Sequence, residues 1–349
     1  MPSQLIWQPT SSITLRPDQY SDGISAMAFS VDGRFLAVAS GRRTEIWDTA
    51  SDTPYLVGLT PEGSDIILCI NWLRTRSTLI SGHENGDIFM IGRVHCVQSF
   101  RNEPVVALSL FEDKFLAVLT ASNVQLWDVD LRGRTVPPFL PCDLGELIGS
   151  SRPQSIHWLG AQRLVISYPG TILVEWKVHF APLSLAPSFR LGAHHSVDGV
   201  LADISPDNVV LVADLARNRY MMISLNSPSA LAVVLHRPRR MPSITAASRA
   251  GFASKYIVEE SDGNIYLWDP SCHRYQAIVT ANPPVTALAC TSVNSSSKVA
   301  FTGANGEVEI WRNRHVGIAS SLWVMGTWCI QMFMYILALV TVTAWWASN

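Results

Sequence analysis

Charge is scarce in this 349-residue chain: 26 Lys and Arg face 28 Asp and Glu, 15% of the residues, for a net charge of −2. That balance lacks the basic field that nucleic-acid binding needs, so no nucleic-acid partner is expected. Cysteine is sparse as well. The six copies, Cys69, Cys96, Cys142, Cys272, Cys290 and Cys329, never form a CxxC pair. Their scatter argues against a disulfide framework or a zinc site and suits reduced thiols in a cytosolic domain. Missing too are a nucleophile elbow, an HExxH, a P-loop and paired histidines at helical spacing, so no catalytic, cofactor or metal site is expected. Met1 to Ser12 hold no apolar run of the sort a secretory signal requires.

What the chain does have is a period. Seven β-rich runs end at residues 47, 91, 127, 176, 223, 268 and 311, in steps of 44, 36, 49, 47, 45 and 43 residues. Five of the seven end points are tryptophan: Trp47, Trp127, Trp176, Trp268 and Trp311. A repeat of about 40–50 residues signals stacked supersecondary units and matches one four-stranded blade of a β-propeller. Repeat one reads most clearly. Ile24–Phe29 alternates as a half-buried strand, Ser30-Val31-Asp32-Gly33 makes a tight turn, and Phe35–Ala39 and Thr44–Asp48 follow as strands. Similar runs recur at Val105–Leu110, Phe115–Thr120, Ile156–Leu159, Val200–Ile204, Tyr256–Glu259 and Val285–Ala289. Asn85-Gly86, Asp262-Gly263 and Asn305-Gly306 stand where hairpin turns are wanted.

These residues resemble the WD-repeat (WD40) family. The resemblance rests on Phe29-Ser30-x-Asp32-Gly33, on the dipeptides Trp47-Asp48, Trp127-Asp128 and Trp268-Asp269, and on the Gly-containing turns. It implies an all-β, seven-bladed propeller over 12–314; outside it, 1–11 reads as an N-terminal extension and 315–349 as a tail with one hydrophobic α-helix. It also implies that an N-terminal strand near Ile13-Thr14-Leu15-Arg16 closes the last blade, leaving no open sheet edge. The family's Gly-His pair and turn Asp are approached only at Gly192-Ala193-His194-His195 and at Asp262. A divergent ring held mostly by apolar packing, with a less rigid rim, is expected. His194, His195 and Asp198 read as structural rather than as metal ligands.

The tail is of different material, since residues 316–349 contain no charged side chain. From Leu322 to Trp346, 25 residues as a helix would span roughly 37 Å, enough for a ~30 Å hydrocarbon core. Leu337 lies in its middle, with Trp323 and Trp328 towards one end and Trp345-Trp346 at the other, as aromatic belts do. Arg312, Arg314 and His315 precede it, so the positive-inside bias keeps the propeller cytosolic. A tail-anchored protein of an endomembrane such as the endoplasmic reticulum is expected. A buried core helix and a gene-model artefact are the competing readings. In this topology the sequon Asn294-Ser295-Ser296 faces cytosol and stays unmodified.

Propeller topology also places candidate surface residues. Arg217 and Arg219 fall between the second and third strands of repeat five, and Arg237, Arg239 and Arg240 in the loop leading to repeat six. These five arginines should share one sector of the face that also carries Arg42 and Arg43. Arginine forks suit an acidic or phosphorylated peptide or an anionic headgroup. Glu259, Glu260 and Asp262 adjoin them and would neutralise them if paired. The leading function is a non-enzymatic protein-interaction scaffold. The alternatives are a membrane-anchored exchange factor for a small GTPase, similar only in layout, and a phosphoinositide-binding propeller, whose Phe-Arg-Arg-Gly signature is absent.

Overall fold

A computed structural model describes residues 6–15, 23–60, 65–74, 78–91, 95–99, 103–120, 123–128, 139–143, 153–160, 162–168, 172–180, 183–190, 199–205, 207–215, 217–226, 233–237, 249–261, 264–270, 274–278, 285–293, 296–302 and 306–314. The first strand, β1 (Ile6–Ile13), stands apart from its neighbours in sequence. Blade 1 is Ile24–Phe29, Phe35–Ser40, Arg43–Asp48 and Tyr55–Leu59 (β2 to β5). Blade 2 is Ile67–Trp72, Leu79–His83, Asp87–Ile91 and His95–Ser99 (β6 to β9). Blade 3 is Val105–Phe111, Phe115–Thr120, Asn123–Asp128 and Phe139–Asp143 (β10 to β13). Blade 4 is Ser155–Gly160, Arg163–Tyr168, Ile172–Phe180 and Leu183–Arg190 (β14 to β17). Blade 5 is Gly199–Ile204, Val209–Asp214, Arg219–Ser224 and Val233–His236 (β18 to β21). Blade 6 is Ala250–Ala253, Tyr256–Ser261, Asn264–Asp269 and Arg274–Ile278 (β22 to β25). Blade 7 is Leu288–Val293, Ser296–Thr302 and Val308–Arg314 (β26 to β28), completed by β1.

Each blade is a four-stranded antiparallel sheet, a meander in blades 1 to 6, and each meets the next until β26 lies back against β2. The described residues form an all-β, seven-bladed propeller. Connections between second and third strands, and from fourth strands to the next blade, lie on one face, here the upper; the remaining connections lie on the lower face. The second strands are the most apolar. In β3, β11, β15 and β19 every residue after the first is buried. Sandwiching explains this: Leu36 and Val38 pack on Ala300, Val308 and Ile310 of blade 7, while Ala37 between them packs on Trp72 and Leu79 of blade 2. A strand covered on both sides needs an apolar residue at every position, and burial of one such leucine contributes ~1.5–3 kcal/mol.

Closure of the ring falls earlier in the chain than Ile13-Thr14-Leu15-Arg16. Strand β1 runs Ile6–Ile13 and pairs antiparallel with β28, from Ile6↔Arg314 to Ile13↔Val308, with an irregularity between Pro9 and Ser11. Pro9 is tolerated because β1 is the outer strand, whose free edge needs no N–H. Trp7 and Ile13 anchor the strand from opposite faces, Trp7 against Tyr256 of blade 6 and Ile13 among Leu36, Val38 and Val308. The first strand of blade 7 is also displaced, to Leu288–Val293 from the expected Val285–Ala289. The N–H groups of Thr286 and Ala287 turn to the Thr302 hydroxyl instead of a ladder, at 2.8 and 3.4 Å. Among the described residues no helix is long and apolar enough to cross a membrane. The tail, with Leu322, Trp323, Trp328, Leu337, Trp345 and Trp346, lies outside the described residues, as do His194, His195, Asp198, Asp262, Asn294 and Asn305.

Candidate interaction surface on blades 5 and 6

The upper turn of blade 5 joins β19 to β20 and ends with Arg217 and Asn218, the latter in the left-handed region at φ 48°. Asp214, the last residue of β19 and fully buried, gathers both arginines of this turn. Its Oδ2 accepts from Arg217 Nη1 at 3.3 Å and from Arg219 Nε at 2.8 Å. The loop after β21 then brings in Arg237, whose Nη1 donates to Asn218 Oδ1 at 2.5 Å. The two arginine-bearing segments are therefore neighbours, as the topology requires. The third arginine is nevertheless not on the surface.

Arg237 has a side chain only 1% exposed, and its Nη2 lies 2.5 Å from Glu259 Oε1 and 3.1 Å from Ser261 Oγ. Glu259 stands on β23 of blade 6, wholly buried, and its other oxygen accepts from the Trp268 indole at 2.9 Å. Burial pushes the Glu259 pKa up to about 7, against the opposing pull of Arg237 and the indole. Tyr220, fully buried on β20, feels burial first and then the Glu259 charge, and its phenol is pushed well above its ordinary value. An arginine spent in this way locks blade 5 to blade 6 and does not meet a phosphate. Arg237 leaves the candidate surface for that reason, and Arg217 and Arg219 keep only those donors not turned to Asp214. Arg239 and Arg240 lie outside the described residues. In blade 1, Arg42 is exposed in the β3–β4 turn and Arg43 is half-buried. Beside them in blade 2, His83 is turned inward: its ring nitrogens lie 3.0 Å from Ser81 Oγ and 3.0 Å from the Asp65 carbonyl, and burial lowers its pKa.

Nor is the ring held by apolar packing alone. Trp47 and Trp311 donate their indole N–H to Glu45 and Glu309, at 3.0 and 3.1 Å, each glutamate two residues earlier on the same strand. A strand's period of two puts such pairs on one face. The signal was in the repeated Glu-Ile-Trp at 45–47 and 309–311. Blade 4 uses its glutamate differently, Glu175 accepting from Nε and Nη2 of Arg163 at 2.8 and 2.9 Å. Among the described residues no group of His, Cys, Asp and Glu could hold a metal ion.

Residues 10–48 match the family model described as WD domain, G-beta repeat, a span that runs from the end of β1 to the third strand of blade 1. No curated protein matches the chain. One matched repeat within seven four-stranded blades supports the WD-repeat propeller family, whose fold is typical of protein-interaction scaffolds.

Proposed function

We propose that the chain is a non-enzymatic interaction platform, held at a membrane by its apolar C-terminal segment with the propeller in the cytosol. The observation that carries this reading is the junction at Arg314, where the last strand of a closed ring gives way to a segment whose residues 316–349 contain no charge. A closed ring of blades presents upper, lower and side surfaces at fixed geometry, each able to take a peptide or a domain. Confinement to a bilayer raises the effective concentration of partners already there. The partner is a protein, with an acidic or phosphorylated peptide the best match for Arg42, Arg43, Arg239 and Arg240. An endomembrane such as the endoplasmic reticulum is the proposed location.

Alkaline carbonate extraction tests the anchor. Full-length protein in the pellet and a chain ending at Arg314 in the supernatant are the expected results. Both in the supernatant would remove the membrane from the reading and leave a scaffold without an address. Glycosylation at Asn294 would reverse the orientation.

A further inference from the structure

We infer that the lower corner of blade 1, formed by Val31, Tyr55 and Val57, rests in the interfacial layer of the bilayer that holds the tail. This inference rests on the anchored reading above.

The exit of the chain is fixed next to that corner. Strand β28 runs to the lower face, and two residues before its end Arg312 reaches across to the β4–β5 loop of blade 1. There it donates to the carbonyls of Thr49 and Ser51, the latter at 2.9 Å, and its Nη1 meets Asp52 Oδ1 at 3.2 Å. Lys298 on β27 joins the same clasp, with Nζ 2.7 Å from the Gly33 carbonyl and 2.9 Å from that of Thr49. Tyr55 opens β5 directly after this loop, and Val31 sits in the neighbouring β2–β3 turn. Only His315 to Ser321 separate Arg314 from Leu322, seven residues that reach at most ~25 Å when extended. A tether so short brings the lower edge of blades 7 and 1 to the membrane surface.

What that edge presents suits the place. Six large apolar side chains are exposed among the described residues, and four of them, Val31, Tyr55, Val57 and Leu59, belong to blade 1. Scattered exposed apolar residues need no explanation, but Val31 and Tyr55 at the lower end of the one blade against the exit, with Val57 next along the same face of β5, do; Leu59 lies at the other end of that strand. Tyrosine favours the interface, where its ring is buried and its hydroxyl stays in a polar layer. The Tyr55 hydroxyl is 3.2 Å from Asp48 Oδ2. The carboxylates at this corner are answered within the protein: Asp48 by Arg34 at 2.8 Å, Asp52 by Arg312, and Asp32 by the Ser30 hydroxyl and the Arg34 N–H. Asp48 is held below its ordinary pKa: burial raises it, but hydrogen bonds from Ala50, Arg34 and Tyr55 together outweigh that. The Arg34 side chain is 54% exposed, but its Nε and Nη2 both turn to Asp48.

A peptide added along the free edge of β5 is the competing occupant. Leu59 separates the two. It lies four residues above Tyr55, roughly 13 Å along the strand, so a peptide would cover all three side chains while a bilayer covers the lower end only. The test uses full-length protein reconstituted in phosphatidylcholine vesicles containing a minority of phosphatidylserine. A genetically encoded fluorescent amino acid replaces Val31, Val57, Leu59 or, as a remote control on blade 5, Val233. Quenching by headgroup-labelled lipid should be at least about twofold greater at positions 31 and 57 than at 59 and 233. Equal, weak quenching at all four positions in protein that resists carbonate would overturn the corner while leaving the anchor intact. Weak quenching in protein that carbonate extracts would remove the anchor first. Probes at 31, 57 and 59 shielded from a soluble quencher but untouched by the lipid one would assign the strand to a peptide and equally overturn the inference.

Discussion

Arg237 and Glu259 illustrate how one residue can be decided by a partner 22 positions away. Both are long charged side chains in stretches that suit the surface, yet they meet where blade 5 abuts blade 6 and water is excluded. Removing one partner strands the other, so Arg237→Ala should cost about 3–5 kcal/mol in urea unfolding. Replacing both, Arg237→Met with Glu259→Leu, should recover most of that loss. A single Arg237→Ala with wild-type stability would put the guanidinium back on the surface. By contrast, Arg42→Ser, at an exposed position of the β3–β4 turn, should change stability by no more than about 0.5 kcal/mol. Asp203 gives the pH dependence. It accepts the N–H groups of Phe252 and Ile204, each at 2.7 Å, and burial pushes its pKa up from 3.8 to about 6. Between those values the folded protein keeps a proton that the unfolded chain has released. Stability contributed by Asp203 is therefore complete below pH 3.8 and is lost as pH rises through about 6, by at most about 3 kcal/mol. Urea midpoints measured across that window should fall less steeply with rising pH in Asp203→Asn than in the parent, and parallel slopes would refute the assignment.

Elements differ in how plainly they show in the sequence. The first three strands of a blade follow an apolar pattern, and Ile24–Phe29 and Phe115–Thr120 stand just where alternation and turn residues put them. Fourth strands do not. Tyr55–Leu59 has three exposed residues in five, and nothing but its neighbour β4 fixes its register, which slips by a bulge opposite Ile46 and Trp47. The closing strand is hidden for a related reason: Pro9 and the polar Gln8, Thr10, Ser11 and Ser12 interrupt it, and its pairing is supplied by residues some 300 positions later. The candidate surface was half legible. Repeat spacing brings Arg217, Arg219 and Arg237 together, but spacing does not say which guanidinium points inward. Close approach of two elements is equally invisible in sequence, as Gly82 on β7 shows. A Cβ there would lie 2.4 Å from Val105 Cγ1 and 2.9 Å from Cys69 Sγ, so the inner strands of blades 2 and 3 would have to part. Gly82→Ala should destabilise by about 1–3 kcal/mol, read as a lower Tm in calorimetry. An unchanged Tm would mean that the inner strands separate freely there.

At the scale of the whole molecule, cooperativity depends on a ring without a free end. Sheet edges invite wrong pairing, and an open ring would expose both the flank of β28 and the face of blade 1 that packs on it. Strand β1 prevents this by bringing Trp7 at 4% exposure and Ile13 at 1% into cores on its two sides. Its loss removes about 5 kcal/mol of burial from those two side chains alone, which is comparable with the whole margin by which a domain is stable. Deleting Met1 to Ile13 should therefore lower the Tm of all seven blades together, not of blade 7 alone. The same geometry predicts that covalent order matters less than closure. Ile6 pairs with Arg314, so a short flexible linker can join these residues while the chain is opened elsewhere. Opening it at the Asn85-Gly86 turn would leave blade 2 to close the ring through the β7–β8 ladder, as β1 and β28 now close blade 7. A permutant of residues 6–314 built this way should melt in one transition, at most a few degrees below its parent, because it loses about 1 kcal/mol of turn and loop entropy and no core. The truncated chain keeps its native order and loses β1, so its Tm should drop far more. If the permutant fell as far as the truncation, chain order and not ring closure would be what holds the blades together.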